Sequence, residues 1–161
     1  LGYREIQLKK ERVVLSNDYL HTILDDFLIS VNEKNVRIDK NINIKNKTIL
    51  IDKFFFTTAL FNILENAIKY SNESVEINFT AICAETFKIV IQDNGIGILP
   101  ENQKLIFDKF FREGNKEVHN VKGLGLGLYY TNQIVKAHKG TIEVSSVKGE
   151  GTAFTIEIPL I

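Results

Sequence analysis

The stretch Phe61–Asn62–Ile63–Leu64–Glu65–Asn66–Ala67–Ile68–Lys69–Tyr70–Ser71 restricts this chain more than any other. Wound as a helix of about 3.6 residues per turn, it sorts into two faces. Asn62, Glu65, Asn66 and Lys69 fall at i, i+3, i+4 and i+7 and make one polar stripe. Leu60, Ile63, Leu64, Ala67 and Ile68 fall opposite and read as core. A solvated face explains most polar stripes. Asn, however, is a mediocre helix former, and here it occurs twice, one turn apart. Two amides, a carboxylate and an ammonium form a set that can hold a hard cation through oxygen and a phosphate through the Lys.

The bulk composition removes several classes. The chain has 161 residues, 44% hydrophobic and 25% charged, which suits one globular domain with an ordinary core. Lys plus Arg and Asp plus Glu each number 20, so no net charge advertises a nucleic-acid or anionic-membrane surface. The single cysteine, Cys83, excludes an internal disulfide and agrees with a reducing compartment. No apolar run approaches the roughly 18 residues that a membrane span requires. The start carries no signal-peptide pattern. With no Met and with Leu1 first, the chain reads as a piece of a longer protein.

Along the chain, residues 1–15 read as a linker or the end of an upstream helix, and residues 16–161 as the domain proper. Ser16–Asn17–Asp18 is a helix-start cluster, followed by Tyr19, Leu20, Ile23, Leu24, Phe27 and Leu28 at helical spacing. Val36–Asp39 and Thr48–Ile51 are short β-leaning runs around an Asn/Lys-rich segment, which predicts a hairpin. Asp52 caps the long helix that carries the polar stripe. Ser74–Ala81 and Thr86–Gln92 predict two strands joined tightly at Ala84–Glu85. Pro100–Glu101 opens a short helix to about Ile106. Glu113–Lys122 has almost no apolar content and reads as a mobile loop. A last helix opens at Gly123–Leu128 and stops at His138–Lys139–Gly140, before strands at Thr141–Ser146 and Thr152–Ile158. This order predicts a two-layer α/β sandwich: one mixed, mainly antiparallel sheet with its helices on one face.

Two glycine clusters carry chemistry. Gly123, Gly125 and Gly127 precede a helix, where free backbone N–H groups and the helix dipole attract phosphate; a packing role is the alternative. Neither a Walker loop nor a Rossmann fingerprint fits. Asp93-Asn-Gly95-Ile-Gly97 places a carboxylate at a strand end beside glycines. It can accept from an exocyclic amine such as that of adenine, or it is simply a turn.

Asn62-x-x-x-Asn66, Asp93-x-Gly95-x-Gly97, Phe107 to Phe110, Gly123-x-Gly125-x-Gly127 and Gly149-x-Gly151-Thr152 occur in one order. Together they resemble the N, G1, F, G2 and distal glycine boxes of the sensor histidine kinase ATP-binding domain. That fold is of the Bergerat or GHKL type, shared with gyrase, Hsp90 and MutL. The resemblance covers about residues 16–161. The phrases Asn-Ala-Ile-Lys-Tyr-Ser, Phe-Asp-Lys-Phe-Phe-Arg and Ala-His-Lys-Gly-Thr-Ile are closer to histidine kinases than to the other branches.

The resemblance implies ATP and Mg²⁺ as ligands. Asp93 would read the adenine amine, with Gly95, Gly97, Ile98 and Thr152 around the base. Asn66 would hold Mg²⁺, Asn62 would support the phosphate site and Lys69 would neutralise phosphate charge. Tyr70 would lie against the ring or ribose, unless it only packs. Gly123, Leu124, Gly125, Leu126 and Gly127 would form the phosphate loop, within a lid at about residues 107–124. Phe107, Phe110 and Phe111 would pack the base of that lid, or simply belong to the core. Arg112 would reach towards the γ-phosphate, or stay solvated. Glu65 matches the general-base position of the hydrolysing cousins, and here would orient the phosphoryl group or its acceptor.

The implied reaction is phosphoryl transfer from ATP to a histidine on a separate helical domain of a dimeric parent, then to a response regulator. His21 lacks the acid and helix break that follow an acceptor histidine, while His119 falls in the lid and His138 at a helix end, so all three read as surface or capping histidines. The implied location is a cytoplasmic domain, with no membrane contact of its own, of a parent anchored in the cell membrane. The other readings are an ATPase of the gyrase, Hsp90 and MutL branch, a serine-directed anti-sigma factor kinase, and a plain interaction module.

Overall fold

Strict alternation along the middle strands decides where the core lies. In β4 (Ser74–Cys83), Val75, Ile77, Phe79 and Ala81 are buried. In β5 (Thr86–Asp93) the buried row is Phe87, Ile89 and Ile91, and in β7 (Gly151–Pro159) it is Phe154, Ile156 and Ile158. A period of two puts each row on a single face of a sheet. The computed structural model describes residues 5–32, 35–112 and 125–161. In it these strands sit in a five-stranded sheet of order β2-β4-β5-β7-β6, with β2 at Asn35–Asn43 and β6 at Thr141–Val147. Among the described residues, only β2 and β4 pair in parallel.

Among the described residues, three helices cover the apolar face. α1 (Asn17–Ser30) buries Leu20, Ile23, Leu24 and Phe27. α2 (Lys53–Lys69) buries Phe56, Ala59, Leu60, Ile63, Leu64 and Ala67. α3 (Gly127–Ala137) buries Thr131, Ile134 and Val135. Almost all of these apolar side chains join the strand rows in one hydrophobic cluster. The opposite sheet face carries Glu76, Asn78, Lys88 and Gln92. The result is the two-layer α/β sandwich that the order of elements predicts, with a mixed, mainly antiparallel sheet. Both predicted caps form: Ser16 Oγ accepts from Tyr19 N at 3.2 Å, and Asp52 Oδ1 accepts from Phe55 N at 3.1 Å.

Four local expectations give way. The predicted hairpin at Val36–Asp39 and Thr48–Ile51 does not exist. β2 instead joins β4 in parallel, with α2 in the crossover, while β3 (Thr48–Ile51) pairs antiparallel with β1 (Glu11–Val14) in a separate two-stranded sheet. The segment between β2 and β3 is pinned instead of turning back: Ile44 N donates to Asn17 Oδ1 at 3.1 Å, and Leu15 N to Lys47 O at 2.7 Å. Within residues 1–15, Glu11–Val14 is therefore a strand and not a helix end, and Val13 is buried. The short helix expected from Pro100 to Ile106 is two 3₁₀ turns, Pro100–Asn102 and Leu105–Phe107. The last helix begins at Gly127, while the loop expected at Glu113–Lys122 lies outside the described residues.

One buried polar knot ties the far ends of α2 and α3 to the N-terminal segment. Asp52 Oδ2 accepts from Lys9 N at 2.8 Å, and Asp52 N donates to His138 Nε2 at 3.0 Å. Because that nitrogen accepts, the ring proton sits on Nδ1 and is donated to Ile134 O at 2.7 Å. Burial holds the His138 imidazole below its ordinary value of 6.5; Lys10 pushes the same way, against the Ile134 carbonyl and Asp52. Burial alone would raise the Asp52 carboxyl, but the N–H groups of Phe55, Lys9 and Phe54, with His138, outweigh it and leave it lowered. The unfolded chain thus protonates His138 first as pH falls. Stability should decline as pH drops below 6.5 towards the depressed folded value, and be fully present above 6.5. Denaturation at stepped pH, with an NMR titration of the His138 ring, checks this; a ring midpoint at or above 6.5 contradicts it.

Candidate functional site

The inward rows of β5 and β7 do not end in apolar residues. Asp93 continues Phe87, Ile89 and Ile91, and Thr152 continues Phe154, Ile156 and Ile158. The two are register partners, so both side chains point to the helix side of the sheet. Asp93 Oδ1 accepts from Gly95 N at 2.8 Å and from Thr152 N at 3.2 Å. Among the described residues, Oδ2 has no partner. Burial raises the Asp93 carboxyl above its ordinary value, and the Gly95 and Thr152 N–H groups only partly offset this. A half-buried carboxylate with one open oxygen is an acceptor waiting for a donor.

The loop after Asp93 touches the last turn of α2. Ile96 N donates to Tyr70 O at 2.9 Å, and a Cβ on Gly95 would lie 2.6 Å from that same oxygen. Only glycine allows the approach. Gly97 has φ +70, and a Cβ there would meet Val147 O at 2.2 Å. These contacts bring the polar stripe of α2 and the Asp93 carboxylate to one end of the sandwich.

The stripe itself divides into engaged and open members. Asn62 Nδ2 donates to Gly127 O at 3.3 Å and to Thr131 Oγ1 at 3.2 Å, and Thr131 Oγ1 donates to Gly127 O at 2.9 Å. A carbonyl only accepts, so the Asn62 nitrogen must face α3. Asn62 thus holds the first turn of α3. The side chains of Glu65, Asn66 and Lys69 have no hydrogen bond or ion pair among the described residues; Glu65 and Lys69 are exposed, and Asn66 is half-buried. No cluster of three His, Cys, Asp or Glu side chains that could hold a metal occurs among the described residues. The free amide oxygen of Asn66 remains a hard ligand of the kind that Mg²⁺ takes alongside phosphate oxygens.

The start of α3 lacks a side-chain cap at Leu126, which leaves its first N–H groups without one. Gly125 has φ +70 and accepts from Phe110 N at 3.1 Å, while Gly127 is the first residue of the helix. Gly123 and Leu124 lie outside the described residues, as does His119. Of the aromatic cluster, Phe107 is half-buried and meets Phe154 edge-on at 6.3 Å, and Phe111 packs against the core. Phe110 does not pack as lid base in the same sense. It is 61% exposed with φ +64, and Lys109 Nζ lies 5.3 Å from its ring. Arg112 is exposed, Tyr70 caps α2 at 39% exposure, and Ile98 is half-buried.

The sequence singled out neither Ser146 nor Gln103, yet both brace this end. Ser146 Oγ accepts from Ile98 N at 2.8 Å, and Gln103 Nε2 donates to Ser146 O at 2.8 Å and to Ile98 O at 3.2 Å. Their only signal was position: Ser146 is the cross-strand partner of Thr152.

The glycines make a checkable contrast. Gly97→Ala should cost more than about 1 kcal/mol in urea denaturation, since both φ and the contact forbid a side chain. Gly127→Ala, with nothing within 4 Å, should stay within about 0.5 kcal/mol of wild type. Equal effects would contradict the close-approach role of Gly97.

Residues 51–161 match the family model described as histidine kinase-, DNA gyrase B-, and HSP90-like ATPase. The sensor protein RprX of Bacteroides fragilis is 39% identical over 149 residues, covering 91% of this chain and 29% of its own length. The sensor protein CiaH of Streptococcus pneumoniae is 32% identical over 161 residues, 99% of this chain and 36% of its own. The chain thus spans about a third of the curated relatives it matches. The solved mycobacterial sensor histidine kinase MprB superposes with a TM-score of 0.68 at 27% identity, covering 94% of this chain and 97% of that one.

Proposed function

The chain belongs to the histidine kinase-, DNA gyrase B- and HSP90-like ATPase family, and from that premise we propose that it is the ATP-binding catalytic domain of a two-component sensor histidine kinase. It passes the γ-phosphoryl of ATP to a histidine on a separate domain of a dimeric parent, and from there the group goes to a response regulator. The observation that carries this reading is the junction of Tyr70 with Gly95 and Ile96, which sets an open carboxylate and an open amide–ammonium stripe around one end of the fold.

In this reading the base meets Asp93 and Thr152, with Gly95, Gly97 and Ile98 beneath it and Tyr70 at its side. The triphosphate runs between α2 and the first turn of α3. There the N–H groups at Gly125, Leu126 and Gly127 donate to phosphate oxygens, and the sequence motif assigns Gly123 and Leu124 to the same loop. Lys69 offsets phosphate charge, and Arg112 and Phe107 stand at the lid side. Asn66 would hold Mg²⁺ through its amide oxygen, and the ion would offset phosphate charge. Asn62 holds α3 against α2, so the two walls keep their spacing. Glu65, exposed on the same stripe, orients the incoming imidazole. In the transfer the bond from the γ-phosphorus to the bridging oxygen breaks as a bond to the imidazole nitrogen forms, and ADP leaves.

His138 is not that acceptor. It is 3% exposed, and both ring nitrogens are engaged. No helix among the described residues is long and apolar enough to cross a membrane. We place the domain on the cytoplasmic side of a membrane-anchored parent, by the sensor relatives.

Calorimetric titration tests the assignment. The chain alone should bind Mg·ATP without phosphorylating itself. Asn66→Ala should weaken binding about tenfold with Mg²⁺ and little in EDTA, by the usual worth of an interaction with a charged group. Asp93→Asn should weaken binding with or without metal. A raised carboxyl favours its protonated form on folding, so its stabilisation is greatest at low pH and is lost as pH rises through the folded value. Asp93→Asn should therefore melt at the same temperature or higher at neutral pH. Unchanged affinity in both variants would overturn the assignment.

A further inference from the structure

Asp93, Thr152 and Ser146 lie in one cross-strand row, β5 to β7 to β6, on the helix-facing side of the sheet. The protons of this row can be counted. Ser146 Oγ has one proton and two lone pairs. It lies 2.7 Å from Gly151 O, which can only accept, so the proton goes there. One lone pair takes Ile98 N–H at 2.8 Å. The remaining contact, 2.9 Å to Thr152 Oγ1, must then have Thr152 as donor. Thr152 has no second proton to give.

We infer that Ser146 is a specificity-determining positioning residue: by consuming the hydroxyl proton of Thr152, it makes the base end of the site a pair of acceptors, Thr152 Oγ1 and Asp93 Oδ2. This rests on the nucleotide-binding reading above and deepens it. Two neighbouring acceptors are satisfied together by one amino group, which brings two protons. A 6-aminopurine supplies that group. A 6-oxopurine brings one N–H and one carbonyl oxygen, and the oxygen needs a protein donor that this row lacks. An unmet polar pairing in a desolvated site is costly, and sites built around a hydrogen bond reject analogues that cannot make it. Ser146 need not touch the base to impose the choice. It acts through one proton.

The rest of the row supports this reading. Gly151 has φ +118, and a Cβ there would lie 2.0 Å from Asp93 O, so the carbonyl that receives the Ser146 proton is fixed by close packing of β7 on β5. Gln103 Nε2 holds Ser146 O and Ile98 O, which keeps the Ile98 N–H aimed at Ser146. Each alternative orientation of the Ser146 hydroxyl would leave Gly151 O without this donor or oppose the Ile98 N–H.

The test compares ATP with inosine triphosphate, its 6-oxo counterpart, by calorimetry on the whole chain with Mg²⁺. Wild type should prefer ATP by about a hundredfold, in the range set by one donor–acceptor mismatch. Ser146→Ala frees the Thr152 hydroxyl to turn and donate to a 6-oxo group, so the preference should shrink about tenfold, with inosine triphosphate gaining. Thr152→Val is isosteric and has no oxygen. It should weaken ATP about tenfold and inosine triphosphate far less, and it keeps the test decisive if Ser146→Ala does not fold. A Ser146→Ala chain that folds and keeps the wild-type ratio, or loses both nucleotides equally, overturns the inference. So does a Thr152→Val chain with an unchanged ratio. Failure of the wild type to bind either nucleotide would refute the nucleotide-binding reading instead.

Discussion

A single carboxylate oxygen, Asp93 Oδ1, holds the functional end of this fold together. It takes the N–H of Gly95 from its own loop and the N–H of Thr152 from the neighbouring strand. Those two bonds fix where β5 stops, how the loop leaves, and how β7 begins. The register keeps the side chain on the helix side of the sheet. The arrangement is costly, because burial raises the carboxyl above its ordinary value. A core built only for stability would put an apolar residue at the end of the Phe87, Ile89, Ile91 row. That a carboxylate stands there instead is what singles out the end of the sheet as the candidate site.

The helix layer is tied at two places with different consequences. At one end Asn62 and Thr131 clamp α2 to the first turn of α3, close to the glycines. At the other, Asp52 and His138 join the start of α2 to the end of α3 and to Lys9 of the N-terminal segment. The polar stripe and the glycine turn are therefore carried by two helices whose separation is set at both ends. A chain entering through residues 5–10 meets the knot before it meets anything of the site.

Much of this was legible in the sequence, for local reasons. The two-faced helix, its Asp52 cap, the alternating strands and the Ala84–Glu85 hairpin all follow from residues within one element or one turn. Partners distant in the chain were not legible. Asn-rich residues between Val36–Asp39 and Thr48–Ile51 look like a hairpin turn, yet β2 finds β4, across α2, and β3 finds β1. Glu11–Val14 reads as linker or helix end because it carries no strand alternation long enough to see, and in the structure only Val13 of its four residues is buried. The bracing of Ser146 was not legible either: it takes the N–H of Ile98, 48 residues away, and Gln103 reaches its carbonyl across 43. The resemblance to histidine kinase boxes supplied the candidate residues. The proton count at Ser146 came only from distances.

The most direct measurement is a crystal structure of the chain with Mg²⁺ and a non-hydrolysable ATP analogue. The purine amino nitrogen should lie about 3 Å from the Asp93 carboxylate, with the metal against the Asn66 amide oxygen. A nucleotide bound with its base away from Asp93, or a metal held without Asn66, would contradict the account.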